Sequence, residues 1–95
     1  MAQSVMRLGD MSVGHGFPPT PTIKASTNVF ANGKGVVRQG DTYKLHCLSG
    51  SCHQPNAAKV SSTVKVNGKG VHRTGDKTSC GDTAGQGSPT VKAGG

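Results

Sequence analysis

The sequence predicts an all-β fold built from repeated β-hairpins, and two observations indicate this. The chain contains 15 Gly and 5 Pro, which favour turns, while its apolar residues are dominated by Val, which favours strands. In addition, the segment 32–41 returns in similar form at 67–76, 35 positions later. Each copy has an alternating run that enters an Asn-Gly pair, followed by a short apolar run, as in a tight β-hairpin. Self-similarity at a fixed period indicates a repeat architecture.

The size and charge of the chain limit what it can be. With 95 residues it is expected to be a single small domain, residues 1–95, without an effector extension. It has no Trp, one Tyr and two Phe, so its core is poor in aromatic side chains and needs an additional staple. The net charge of +7 permits acidic partners, but scattered lysines and scarce aromatic residues favour solubility over nucleic-acid recognition. We find no apolar run of transmembrane length and no signal peptide.

The motif Arg-x-Gly-Asp occurs three times, at 7–10, 38–41 and 73–76, and includes all the arginines and three of the 4 acidic residues. We expect a turn at each copy, in which glycine supplies a permissive backbone and aspartate caps the turn amides. The arginine and the aspartate of each copy can form an ion pair. We therefore predict a structural role for these residues and no catalytic role.

The two ends of the chain complete this pattern. Residues 89–95 resemble the first half of the repeat at 62–68, and residues 6–10 supply the missing second half. The predicted units are therefore about 27–41, about 62–76, and 89–95 joined with 6–10. Three units with paired termini predict a small cone with a pseudo-threefold axis.

The residues that follow each repeated aspartate suggest a metal site. His15, His46 and Cys80 stand at the start of the three connections between units, four or five positions after the aspartate. If the units surround an axis, these side chains converge near it and pin the apex of the cone. A closed tetrahedral site needs a fourth ligand, and the longest connection offers His53, with Cys47 and Cys52 as competitors. Three histidines and one cysteine suit zinc.

Three residues remain outside this ligand set. Cys47 and Cys52 can form a small-loop disulfide in oxidising surroundings or stay as thiols, in a packing role or beside the ligands. His72 stands where the neighbouring repeat has Val37, and we interpret it as a surface strand residue.

These motifs together resemble the PAAR-repeat proteins, the conical tips of the spikes of contractile phage tails and type VI secretion systems. The resemblance rests on the hairpins at 27–34 and 63–69, the Arg-x-Gly-Asp turns, and the His or Cys after each aspartate, and it covers residues 7–95. Where the name-giving Pro-Ala-Ala-Arg would stand, the sequence has Gly-Val-Val-Arg at 35–38 and Gly-Val-His-Arg at 70–73.

The resemblance implies a specific function. Zinc would be held near the apex by His15, His46, His53 and Cys80. The base of a monomeric tip would dock onto a trimeric β-helical spike, one tip per trimer, and the apex would puncture a target membrane. The protein would lie in a virion tail baseplate, or in the bacterial cytoplasm before secretion. No enzymatic activity and no nucleic-acid partner are expected.

Two other classes of function fit the sequence less well. A small zinc-binding nucleic-acid module would require paired Cys-x-x-Cys knuckles, a recognition helix or aromatic platforms, and the sequence contains none of these. A metalloenzyme would require an open coordination position, whereas four available ligands favour a closed site.

Overall fold

The described part of the chain consists of short β-strands and turns. A computed structural model describes residues 2–14 and 18–95, and within these ranges it contains no helix. The predicted all-β class is confirmed. No segment of the described chain forms a helix long and apolar enough to cross a bilayer. The strands are β1 (Gln3–Ser4), β2 (Phe30–Ala31), β3 (Lys34–Gly35), β4 (His46–Leu48), β5 (Ser51–His53), β6 (Lys65–Val66), β7 (Lys69–Gly70) and β8 (Lys92–Ala93).

The strands pair as antiparallel two-stranded ribbons: β2 with β3, β4 with β5, β6 with β7, and β1 with β8. Both predicted Asn-Gly turns adopt positive φ, at 54° and 76° for Asn32 and Gly33 and again for Asn67 and Gly68. Positive φ at both central residues is the requirement of the type I′ turn, which matches the twist of the strands. In the β1–β8 ribbon, Ser4 pairs with Lys92, so residues from opposite ends of the chain form one ribbon.

A closed ring of backbone hydrogen bonds joins three equivalent positions of the repeats. The Met6 amide donates to the His72 carbonyl at 2.9 Å, that of His72 to the Val37 carbonyl at 3.0 Å, and that of Val37 to the Met6 carbonyl at 3.0 Å. A pseudo-threefold arrangement requires such a cyclic order, although the symmetry itself stays a prediction. Antiparallel bridges beside the ring run in the same order: Val5 with Arg73, Arg7 with Val36, and Arg38 with Val71.

The core is divided into two clusters of buried side chains. The hairpin cluster consists of Val5, Ala31, Val36, Val71 and Ala93. The connection cluster consists of Met6, Val37, Tyr43, Ala57 and Ala84. Val5 and Val36 belong to the hairpin cluster, and the residues that follow them, Met6 and Val37, belong to the connection cluster. The ring of hydrogen bonds therefore lies where the chain passes from the hairpins to the connections.

Each Arg-x-Gly-Asp motif forms the predicted ion pair. Arg73 donates from Nε to Oδ2 of Asp76 at 2.8 Å and from Nη2 to Oδ1 at 2.9 Å. The Asp76 carboxylate also accepts the backbone N–H of Arg73 at 3.0 Å. The other two copies make the same three bonds. The remaining arginine nitrogen, Nη1, reaches the equivalent position of each ribbon: the Asn32 side chain, the Asn67 side chain or the Gly94 carbonyl.

The interpretation of His72 as a surface residue is wrong. Its exposed fraction is 0 %. Its Nδ1 lies 2.8 Å from the Lys59 carbonyl oxygen, which can only accept, so Nδ1 carries the proton. Its Nε2 then accepts from the Tyr43 hydroxyl at 2.8 Å. The equivalent residues Met6 and Val37 are also fully buried, and the two polar contacts are what allow a histidine at this position.

A repeated serine was not anticipated from the sequence. The Ser61 hydroxyl oxygen accepts the backbone N–H of Val64 at 2.9 Å, and its O–H donates to the Gly94 carbonyl at 2.5 Å. Ser26 and Ser88 hold the corresponding valines in the same way. These side chains fix the entry of the chain into each hairpin. The signal was present, because the three serines stand at equivalent positions of the repeat.

Candidate metal centre

The longest connection carries a hairpin that the sequence analysis missed. Strands β4 and β5 pair His46 with His53 and Cys47 with Cys52, and the turn between them has positive φ at Ser49 (51°) and Gly50 (80°). The Ser-Gly dipeptide could have indicated this turn. Cys47 and Cys52 form a disulfide, which is one of the two states that the sequence left open.

Three of the four predicted ligands come together. One ligand atom from each of His46, His53 and Cys80 can be chosen so that all lie within 4.8 Å of one another. The Cys80 Sγ lies 3.9 Å from Nε2 of His46, and the rings of His46 and His53 meet edge to face with centroids 4.4 Å apart. In a tetrahedral zinc site, nitrogen and sulfur ligands are separated by roughly 3.6 Å, so the observed separation is close to what a bound ion requires.

The orientation of His46 also suits a metal ligand. His46 is 4 % exposed, and its Nδ1 lies 3.1 Å from the Pro18 carbonyl oxygen. Because a carbonyl only accepts, Nδ1 must donate, and Nε2 is left with its lone pair on the side of Cys80. Metal-bound histidines are commonly oriented by a hydrogen bond from the other ring nitrogen.

Cys80 is presented by a turn that is attached to the base of the β4–β5 hairpin. The Ser79 backbone amide donates to the Asn56 carbonyl at 3.0 Å, and the Asn56 amide donates to the Ser79 hydroxyl at 3.1 Å. Cys80 Sγ contacts the Thr78 hydroxyl at 3.3 Å. These hydrogen bonds join the second and third connections between the repeats. They hold the Cys80 thiol beside the two histidines.

His15, the remaining predicted ligand, lies outside the described residues. Described residues on either side of it contact the cluster or its immediate neighbours. The Gly14 amide donates to Oδ1 of Asp82 at 2.8 Å, in the turn that carries Cys80, and Pro18 contacts His46 as described above.

Asp82 is a buried carboxylate that the sequence analysis did not single out. Its exposed fraction is 0 %, and Oδ1 accepts the amides of Gly14 and Thr83. Its Oδ2 has no hydrogen-bond partner in the part of the chain that the structure describes. Burial, together with the negative charges of Asp82, Asp10, Asp76 and Cys80, raises the pKa of Tyr43 well above its usual range.

The residues present fit a metal ion. Imidazole nitrogen and thiolate sulfur are ligands that zinc and similar transition metals prefer. A buried carboxylate next to the cysteine turn adds negative charge near the place where a cation would lie. The cluster of His46, His53 and Cys80 can therefore hold a metal.

Fold and site together define a small all-β domain whose unequal connections meet at a histidine–cysteine cluster. The PAAR motif matches residues 18–86, about three quarters of the chain, and the protein therefore belongs to the PAAR-motif family. Comparison with curated proteins finds no similar sequence. The family consists of structural spike-tip proteins of contractile injection systems, from phage tails and type VI secretion, which associate with spike proteins and are not known as enzymes.

Proposed function

We propose that this protein is a metal-clipped tip that caps and sharpens the trimeric β-helical spike of a contractile injection apparatus, one tip per trimer. In this proposal the hairpins form the docking base and the histidine–cysteine cluster pins the apex, which punctures the target membrane. Family membership supports the general role. The docking and the clip rest on the separate observations that follow.

Docking onto a threefold partner is supported by a set of three equivalent, exposed valines. Val29, Val64 and Val91 follow the capping serines and enter the three ribbons, and they are 37 %, 40 % and 40 % exposed. Equal exposure at equivalent positions gives a threefold partner three equal apolar contacts from one monomer. The two-stranded ribbons also have open edges, which the exposed strand ends of a β-helix could extend.

The proposed clip consists of zinc bound by His15, His46, His53 and Cys80. His15 is included because both of its flanking segments contact the site, Gly14 through Asp82 and Pro18 through His46. Zinc with three neutral histidines and one thiolate carries a net charge of +1, which the buried Asp82 carboxylate would balance. When bound, the ion supplies only structural cross-linking, because four protein ligands leave no open coordination position.

Such a clip would compensate for the thin core of the connections. Among the residues that the structure describes, Tyr43 is the only aromatic in the connection cluster, whose other members include two alanines. A metal that joins three long loops at one point and binds only the folded chain adds its binding free energy to the stability of the fold.

The proposal is tested by mixing the protein with a trimeric spike fragment from the same genome and measuring the mass of the assembly by light scattering. We expect one tip per trimer. Combined replacement of Val29, Val64 and Val91 by aspartate should abolish the assembly, whereas Val13→Asp, at a 61 % exposed valine outside the three ribbons, should leave it intact. A mixture that contains only free tip and free trimer would contradict the proposal.

A further inference from the structure

The hairpin that carries His46 and His53 has a disulfide on its opposite face. Successive side chains of a strand point to opposite faces, so the histidine pair lies on one side of the ribbon and the Cys47–Cys52 pair on the other. The disulfide therefore lies outside the ligand cluster. The disulfide links the two cysteines of the cross-strand pair next to the histidine pair. It therefore fixes which residues of β4 and β5 face each other.

The described residues of the hairpin around the disulfide are largely exposed. Cys47, Ser51 and Cys52 are exposed, and His53 is half-buried. An isolated two-stranded hairpin is marginally stable in water, so a covalent link between its strands restrains them. A one-residue slip would move His53 to the other face of the ribbon and away from Cys80.

We propose that the Cys47–Cys52 disulfide is a positioning element for the metal site, which holds His53 opposite His46 before the ion binds. This inference rests on the metal clip of the proposed function. His46 contacts Pro18 and Cys80 contacts Thr78, and His53 lies opposite His46 in the hairpin, one position from the disulfide. The disulfide should therefore act on metal affinity through His53.

The expected consequence is a metal affinity that depends on the redox state of these cysteines. With the disulfide closed, the hairpin needs no ordering when the ion binds. With the disulfide open, part of the binding free energy is used to order the hairpin. The loop is short, with a sequence separation of 5 between the cysteines. For such a loop we expect zinc to bind about ten-fold more weakly when the disulfide is open.

The experiment measures zinc affinity by competition with a chromophoric chelator. It compares the oxidised protein, the protein reduced with a phosphine, and the combined variant Cys47→Ser with Cys52→Ser. In the reduction, the disulfide takes up two electrons and two protons to give two thiols, and the phosphine becomes its oxide with an oxygen from water. We expect the reduced protein and the serine variant to bind zinc about ten-fold more weakly than the oxidised protein.

A second comparison separates positioning from general stabilisation. In a His53→Ala background, opening the disulfide should leave zinc affinity unchanged, because the ligand that it positions is absent. Cobalt substituted for zinc should give the same thiolate charge-transfer band in the oxidised protein and in the serine variant.

Each other outcome has a defined meaning. Equal zinc affinity in all three forms, or the same ten-fold loss in the His53→Ala background, would overturn the inference and leave the zinc clip intact. A stronger thiolate band in the reduced protein would also overturn it, because Cys47 or Cys52 would then act as a ligand. Absence of zinc binding in every form would refute the clip itself, while the spike assembly would still be tested independently.

Discussion

The hairpin repeats and the connections between them are stabilised in different ways. The repeats use the same contacts three times: a bidentate Arg–Asp pair, a serine that caps the entry to a ribbon, and a shared ring of backbone hydrogen bonds. The connections differ in length and are held by a disulfide, by hydrogen bonds between loops and, as we propose, by a metal. In the function that we propose, the regular body docks on a symmetric partner and the irregular region forms the apex.

The largest effect is expected within the regular body, at Asp76. The side chains of Arg73 and Asp76 are 3 % and 1 % exposed, so Asp76→Asn leaves a buried guanidinium without its counter-charge. Loss of one partner of a buried ion pair costs roughly 3–5 kcal/mol. Urea unfolding of the variant should show a loss of this order.

Asp10→Asn provides a matched control. Arg7 is 13 % exposed and remains partly hydrated, so the loss should be smaller, on the order of 1–3 kcal/mol. Equal losses at the two positions would mean that burial does not distinguish the copies of the motif.

A smaller, pH-dependent effect is expected at His72, where one repeat departs from the others. Burial lowers the pKa of His72 below its usual value. The unfolded chain therefore binds a proton at His72 more readily than the folded protein does. The contribution of neutral, buried His72 to the free energy of unfolding is fully present above the ordinary pKa of histidine. It is lost as the pH falls from that value through the lowered pKa of the folded state. The free energy of unfolding should decrease as the pH is lowered from about 7 to about 5.

The paired variant Tyr43→Phe with His72→Met isolates this contribution. Methionine is the residue at the equivalent, fully buried position 6, and phenylalanine removes the hydroxyl that would otherwise lose its partner. The difference in pH dependence between the native protein and this variant reports His72, since both retain His46 and His53. Identical pH profiles would show that His72 contributes nothing to the acid sensitivity.

The smallest effect is expected at Phe30, on the surface of a repeat. Phe30 is 59 % exposed, and the equivalent positions of the other two ribbons hold Lys65 and Lys92. Because lysine already stands at this position in two of the three ribbons, Phe30→Lys should change the free energy of unfolding by less than about 0.5 kcal/mol. A larger loss in thermal or urea unfolding would show that the three ribbons are not equivalent in packing.

The sequence predicted the regular body better than the connections. The Asn-Gly turns and the Arg-x-Gly-Asp ion pairs could be predicted because they depend on local backbone chemistry that recurs in the chain. The wrong assignment of His72 came from treating it as a polar strand residue. Its equivalence to Met6 and Val37 indicated burial, but its partners Tyr43 and Lys59 lie in connections whose path the repeat does not determine.

In the connections, the residues that cluster were easier to predict than the geometry that brings them together. Counting from each repeated aspartate indicated His46 and Cys80, and the structure brings both together with His53. The β4–β5 hairpin and the buried Asp82 were missed because no second copy of either exists in the chain. His15 stays a prediction.

The most direct test of this account is the zinc content of the purified protein, measured by elemental analysis together with its melting temperature. We predict one zinc per chain, which is removed by a chelator with a marked drop in the melting temperature. His46→Ala and Cys80→Ala should each abolish the bound zinc, while Lys44→Ala, at an exposed residue of the same connection, should retain it. A protein that purifies without metal, or ligand variants with unchanged zinc content and melting temperature, would contradict the proposed clip.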